Sequence, residues 1–157
     1  MATISEKLPH VTAIYDPKTF DPTTGIGRLL TKVKGEIMDM LDRELAAFDI
    51  TAAQYVILVK LASGETDSAS TLCKGVSYDP GAMTRMIDRL ERKGLVRRVR
   101  SPSDRRKVFV ELTDEGRAVY PKLIDSAVRT INHFLRGFTR AEADQLENFL
   151  RRMLANA

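Results

Sequence analysis

Residues Asp79 to Thr113 read DPGAMTRMIDRLERKGLVRRVRSPSDRRKVFVELT, and the fold is decided by the change of rhythm inside this stretch. Up to Lys93 the apolar residues Met83, Met86, Ile87 and Leu90 recur at three and four positions, the spacing of one helix face. Asp79 is suited to cap that helix, and Pro80 to its first position, where a missing N–H costs nothing. Gly94 stops it. Beyond Gly94 the period falls to two. Leu95 to Arg100 and Lys107 to Thr113 read as strands, the second with Val108, Val110 and Leu112 on one side and Phe109 and Glu111 on the other. Ser101 to Arg106, rich in turn formers and arginine, forms the tip of the hairpin between them. The face of the helix that is not apolar carries Ala82, Thr84, Arg85, Asp88, Arg89 and Arg92, so it is basic, and small at its N-terminal end.

The same stretch holds the charge. From Arg85 to Lys107 there are ten Lys/Arg against the three acids Asp88, Glu91 and Asp104, a net of +7 in 23 residues. The other 134 residues carry 15 basic and 18 acidic side chains, although the whole chain is only +4. A positive potential concentrated in one short segment suits a polyanionic partner.

Outward from this stretch the chain is helical. Upstream, Ile26, Leu30, Val33, Ile37, Leu41, Leu45 and Phe48 make a stripe of about six turns, widened by Leu29, Met38 and Met40. A helix this long with so broad an apolar face calls for a second subunit to cover it. Thr51-Ala52-Ala53-Gln54 has the form of a capping box, and the apolar run Tyr55 to Ala62 continues it as a buried helix. A short helix is expected over Ser68 to Lys74, with Leu72 and Cys73 inward and Gly75 at its C-terminal cap. Downstream, a helix runs from about Asp114 to Arg136 through Val119, Leu123, Ala127, Val128, Ile131 and Leu135, with Pro121 bending it and Gly137 ending it. Thr139-Arg140-Ala141-Glu142 opens a last helix striped by Ala143, Leu146, Phe149, Leu150, Met153 and Leu154. Residues 1–22, with Pro9, Pro17 and Pro22, read as an irregular arm.

This order predicts a mainly α protein with a small β-hairpin: a winged helix-turn-helix over residues 51–113, flanked by N- and C-terminal dimerisation helices over 23–50 and 114–157, all one intertwined domain. Thr84 to Val96, then Asp104-Arg105-Arg106, then Leu112-Thr113-Asp114-Glu115-Gly116, resemble the signature blocks of the MarR (multiple antibiotic resistance regulator) family, and the likeness extends from about Gly25 to the C-terminus. The resemblance implies a homodimer that places one winged helix-turn-helix on each half of a pseudo-palindromic double-stranded DNA site. Pro80, Gly81 and Ala82 would let the helix approach base edges, with Thr84 and Arg85 reading them. In the wing, Asp104 would orient Arg106 into the minor groove. Arg97, Arg98, Arg100, Arg105 and Lys107 would neutralise phosphates. Arg89 is read as a staple to neighbouring acids or as a DNA contact, and Asp88 as a surface or intramolecular partner.

The resemblance also implies a repressor released from its operator by a small aromatic acid or phenol. Arg28, Lys32 and Tyr55 are the candidate ligand residues, with solvated surface as the competing role for the two cations, and His133 as a further cavity-lining candidate. Two rival readings remain at this stage: an effector-independent or architectural DNA-binding protein, and a redox-responsive regulator acting through Cys73, which otherwise fills the core. A single cysteine excludes an intramolecular disulfide. His10 and His133 are too isolated for a metal site, and no cofactor is expected. Gly25-Ile26-Gly27-Arg28-Leu29-Leu30 lacks the third glycine of a dinucleotide loop and the strand before it, and no hydrolase motif is present, so the chain is not read as an enzyme. With no apolar segment of bilayer length and no secretory signal pattern, a cytoplasmic address without membrane association is expected.

Overall fold

A computed structural model describes residues 13–64, 67–68, 71–72, 79–101, 104 and 107–157. In chain order the elements are α1 (Ile26–Leu45), a 3-10 turn (Ala46–Phe48), α2 (Ala52–Ala62), β1 (Asp67–Ser68), α3 (Pro80–Arg92), β2 (Val96–Arg100), β3 (Val108–Leu112), α4 (Asp114–Phe134) and α5 (Arg140–Leu154). The chain divides into two units, Met1–Gly35 and Glu36–Ala157, with the boundary inside α1.

The second unit holds the core. Leu41 and Leu45 of α1, Ile57 and Leu58 of α2, Met83, Ile87 and Leu90 of α3, Val96, Val110 and Leu112 of the sheet and Leu123 of α4 are all buried in one cluster. From α2 onward each of the four long helices begins where a side chain accepts from a free amide of its first turn: Thr51, Asp79, Thr113 and Thr139. Both capping boxes are present: Thr51 with Gln54 opens α2, and Thr139 with Glu142 opens α5. Asp42 of α1 also accepts from the Ala52 amide at 2.5 Å, tying the end of α1 to the start of α2.

The sheet is antiparallel in the order β1-β3-β2, with Val96 opposite Leu112 and Arg100 opposite Val108. The third strand is a departure from the sequence reading. Ser68, expected in a helix, pairs with Phe109 in β1, and its Oγ accepts from the amide of Thr71 at 3.2 Å. Two residues are too few to show a period, so no pattern announces the strand. Thr71 and Leu72 are helical, and Leu72 is fully buried. Cys73 and Gly75 lie outside the described residues. Val108 differs in a smaller way: at the hairpin end of β3 it is exposed, whereas Val110 and Leu112 on the same side are buried.

A compact junction joins the wing to α4. Gly94, at φ +71°, turns the chain out of α3. Thr113 then donates its hydroxyl to the Gly94 carbonyl at 2.5 Å and its amide to Leu95 O at 3.1 Å, while its Oγ1 accepts from the Gly116 amide at 3.0 Å. Here α4 passes so close that a Cβ on Gly116 would lie 2.1 Å from the Leu95 carbonyl oxygen.

Several apolar stripes stay uncovered within the chain. Val128 and Ile131 of α4 are exposed, as are Leu146, Phe149, Met153 and Leu154 of α5, a helix with no buried residue. In the first unit Ile26, Leu29, Leu30 and Val33 are likewise exposed. Among the described residues no single helix is long and apolar enough to cross a membrane.

The Gly116 contact gives a direct test. Gly116→Ala must push the Leu95 carbonyl or the start of α4 aside, and should lower the unfolding free energy by about 2 kcal/mol or more, read by chemical denaturation. An unchanged midpoint would show that the junction yields freely.

Candidate nucleic-acid interface

The site is built on α3 and the two long strands. At the N-terminus of α3 the Asp79 Oδ1 accepts from the Ala82 amide at 2.9 Å. That bond is the main cause that holds the Asp79 carboxyl below the usual carboxylate range, with the Gly81 amide and the positive charge of Arg85 adding to it. A Cβ on Gly81 would sit 3.1 Å from Asp79 Oδ1 and 3.4 Å from Arg85 Nη1, so the guanidinium of Arg85 lies back along the first turn. Thr84 donates its hydroxyl to the Pro80 carbonyl at 2.9 Å. The hydrogen is thereby used inside the helix, and what Thr84 offers outward is an acceptor lone pair and a methyl group. Gly81, Thr84, Arg85, Arg89 and Arg92 are exposed, and Ala82 is half-buried.

The residue that joins α3 to the wing is Arg98. The sequence places it among the phosphate contacts, but its guanidinium turns to α3, donating to Asp88 Oδ1 at 2.6 Å and to Glu91 Oε2, while its backbone amide donates to Glu91 Oε1 at 3.2 Å. Burial pushes the guanidinium down, but the bonds to the two carboxylates outweigh it and hold Arg98 above the ordinary arginine value. The staple assigned to Arg89 is thus made by Arg98. Asp88 is its intramolecular partner. Spacing carried the signal: Asp88 and Glu91 are one turn apart on α3, facing a strand whose alternate residues point toward the helix.

Two more of the basic residues are engaged within the chain. Arg97 pairs with Glu111 directly across the hairpin at 2.6 Å. Lys93 reaches Asp49 Oδ2 at 3.0 Å and also donates to the Asp49 carbonyl, where the chain adopts φ +54° between the 3-10 turn and α2. This tie between the ends of α1 and α3 links residues 44 apart, beyond the reach of any local pattern. Among the described residues Arg85, Arg89, Arg92, Arg100 and Lys107 make no ion pair, and Arg85, Arg89, Arg92, Arg100 and Lys107 are all exposed. At the wing tip the Asp104 amide donates to Ser101 Oγ at 3.2 Å, and the Lys107 amide donates to the Asp104 carbonyl at 2.9 Å. Arg105 and Arg106 lie outside the described residues.

The remaining candidates are dispersed. Tyr55 is half-buried, and burial, with Tyr120 beside it, pushes its hydroxyl up. Arg28 and Lys32 are exposed on the part of α1 that belongs to the first unit. His133 lines a groove of about 350 Å³ with Met40, Glu44, Arg129, Asn132 and Arg136. Arg89 and Arg92 line a cleft of about 580 Å³ with Asp42, Asp49 and Lys93. No cluster of potential metal ligands occurs among the described residues.

A helix with a small, exposed first turn, stapled to a basic antiparallel hairpin, is a winged helix-turn-helix reading head. The MarR family model matches residues 50–108, the reading head itself. Beyond it the chain is 34% identical over 136 residues to the multiple antibiotic resistance protein MarR of Escherichia coli, covering 86% of this chain and 94% of that one. The chain belongs to the MarR family. Family members are transcriptional regulators and not enzymes, and this MarR-family chain is a DNA-binding transcriptional regulator. Its fold matches a mutant E. coli MarR in complex with operator DNA at TM-score 0.75 and 32% identity, over 86% of this chain and 99% of that one. It also matches Bordetella bronchiseptica BpsR, whose DNA binding is regulated by 6-hydroxynicotinic acid, at TM-score 0.74 and 27% identity, over 85% and 96% of the two chains.

If Arg98 orients the wing, Arg98→Met should cost about 1–3 kcal/mol of stability, because it leaves Asp88 and Glu91 with no cation on a partly buried surface. Hydrogen exchange should speed up in β2 and β3 before it does in α2. Loss of DNA affinity with wild-type stability and exchange would instead make Arg98 a phosphate contact.

Proposed function

We propose that this chain acts as a cytoplasmic homodimeric repressor that holds a pseudo-palindromic operator and leaves it when a small aromatic acid or phenol binds. The observation that carries the DNA half of this reading is the division of the basic segment. Lys93, Arg97 and Arg98 spend their charge on internal carboxylates, whereas Arg85, Arg89, Arg92, Arg100 and Lys107 stay exposed. In the proposed complex the small turn Pro80-Gly81-Ala82 approaches the major groove, Arg85 swings from its cap to guanine, and the Thr84 methyl meets thymine. Arg106, held by Asp104, enters the minor groove, and Arg89, Arg105 and Lys107 meet phosphates. The assignments of Arg105 and Arg106 rest on the family resemblance of the sequence.

The exposed apolar stripes support the dimer, since a helix such as α5 with no buried residue gains its stability from tertiary packing. The regulation of BpsR by an aromatic acid supports the effector class. Arg28, Lys32 and Tyr55 are candidate ligand residues by the family resemblance of the sequence alone, the two cations being suited to an acid's carboxylate.

Affinity for operator DNA should fall steeply with salt, with a logarithmic slope near −7 if about eight phosphates are neutralised per dimer. Titration of aromatic acids into the complex should release the DNA. A slope near zero would overturn the DNA reading, and a complex indifferent to every aromatic acid tried would favour an effector-independent protein.

Arg85→Ala and Arg106→Ala should fail differently. The first should relax discrimination at one base pair per half-site by ~1–3 kcal/mol. The second should weaken binding most where the flanking minor groove is narrow. If Arg85→Ala weakens all sequences equally, Arg85 is a phosphate contact.

A further inference from the structure

We propose that Lys93 is a positioning residue for operator binding, holding the far end of α3 against the junction between α1 and α2 through Asp49 without itself meeting DNA; this rests on the operator reading above. Lys93 closes α3, its amide donating to the Arg89 carbonyl at 3.1 Å, and Gly94 turns the chain away directly after it. With 3.6 residues per turn, Lys93 leaves the helix roughly 140–160° around the axis from Asp88 and Glu91. The helix is therefore anchored on two sides: Arg98 grips Asp88 and Glu91 from the hairpin, and Lys93 grips Asp49 from the opposite flank. A single anchor lets a helix roll about its own axis over its apolar face. Two anchors on opposite sides do not. Thr84 and Arg85 stand about two and a half turns from Lys93, so a small roll or tilt displaces them, and hydrogen bonds to base edges tolerate little displacement.

The receiving turn is built for the contact. Asp49 is the one non-glycine residue at positive φ among the described residues, at +54°, a conformation that aspartate tolerates better than most. Its amide donates to the Ala46 carbonyl at 3.0 Å, and the amide of buried Ile50 donates to the Leu45 carbonyl at 3.4 Å. So fixed, the turn presents two acceptors of one residue, the Asp49 carbonyl and Oδ2, to one ammonium. The carboxylate is 93% exposed, where an ion pair alone contributes little, and the carbonyl held by the backbone gives the tie its direction. The bond from the Ala52 amide to Asp42 makes this turn continuous with both α1 and α2.

The neighbouring cations behave differently. Arg89 and Arg92 line the same cleft of about 580 Å³, but they are exposed and outside any ion pair among the described residues. The Lys93 side chain is only 26% exposed, and its donors are spent on the turn.

The test uses the full-length protein, a duplex enriched from a random pool by the wild type, and a scrambled duplex of equal length. Lys93→Met should weaken the enriched duplex about tenfold and the scrambled one less than about twofold, with the salt slope unchanged because no phosphate contact is lost. Asp49→Gly keeps the positive φ and the carbonyl but removes the carboxylate, so it should weaken the enriched duplex about threefold; added to Lys93→Met it should cost nothing more, since both break one interaction. If Asp49 served the turn alone, glycine there would leave binding unchanged. Equal weakening of both duplexes by Lys93→Met, with a slope smaller by about 0.9 per protomer, would make Lys93 a phosphate contact. Wild-type preference in both single variants, or losses that add in the double variant, would also overturn the positioning role. Should Lys93→Met melt below the assay temperature, Asp49→Gly decides alone, and wild-type preference there overturns the role. A wild type that enriches no duplex would instead overturn the operator reading.

Discussion

One guanidinium couples the two halves of the reading head. Arg98 projects from the middle of β2 and binds two carboxylates one turn apart on α3, so the angle between hairpin and helix is set by three side chains as well as by the buried sheet residues Val96, Val110 and Leu112. Arginine suits the position because its planar fork can serve two acceptors at once, which a lysine ammonium does with less geometric definition. The backbone bond from the Arg98 amide to Glu91 fixes the register of β2 against the helix as well as its tilt. The hairpin follows, because β3 is paired to β2 residue by residue.

A second constraint acts at the far end of the same strands. Gly94, Leu95, Thr113 and Gly116 form a knot in which each polar group meets another across the turn, and the closeness of Gly116 to the Leu95 carbonyl removes any freedom for α4 to slide. The long helix and the wing therefore move as one piece. Lys93 adds a third tie through Asp49, joining the C-terminal end of α3 to the loop after α1, and Asp42 extends that connection to the first amide of α2. Any displacement of α1 is thus passed to the recognition helix by hydrogen bonds and not only by packing.

What the sequence reveals and what it hides divide along one physical line. The helices were legible because each combines a stripe of period 3.6 with a capping residue, as in Thr51 with Gln54 and Asp79 with Pro80. The hairpin was legible from the switch to period two after Gly94. The two-residue β1 was not, since Asp67 and Ser68 join the sheet only because Val110 and Phe109 offer an open edge. The site divides in the same way. That α3 carries a basic face follows from residue type and spacing, but which arginine staples and which faces out depends on where Asp88 and Glu91 lie relative to β2, a contact between separate elements. Likewise nothing near Lys93 in sequence points to Asp49.

That staple also has an electrostatic consequence for the face it supports. Asp88 and Glu91 stand on the recognition helix, their side chains 48% and 39% exposed, close to the surface that would meet a polyanion. Left alone, two carboxylates there would repel phosphate and offset two of the exposed cations. Arg98 offsets one of those two charges and shares its hydrogen bonds between both carboxylates, in a partly buried setting where salt screens the pairs less than it would at the surface. It therefore favours an anionic partner without touching it, while Arg85, Arg89 and Arg92 stay exposed and outside any ion pair among the described residues. The basic segment works as an inner layer of paired charge that shapes the reading head and an outer layer of unpaired charge, and Asp88, Glu91 and Glu111 are what sort its arginines between the two.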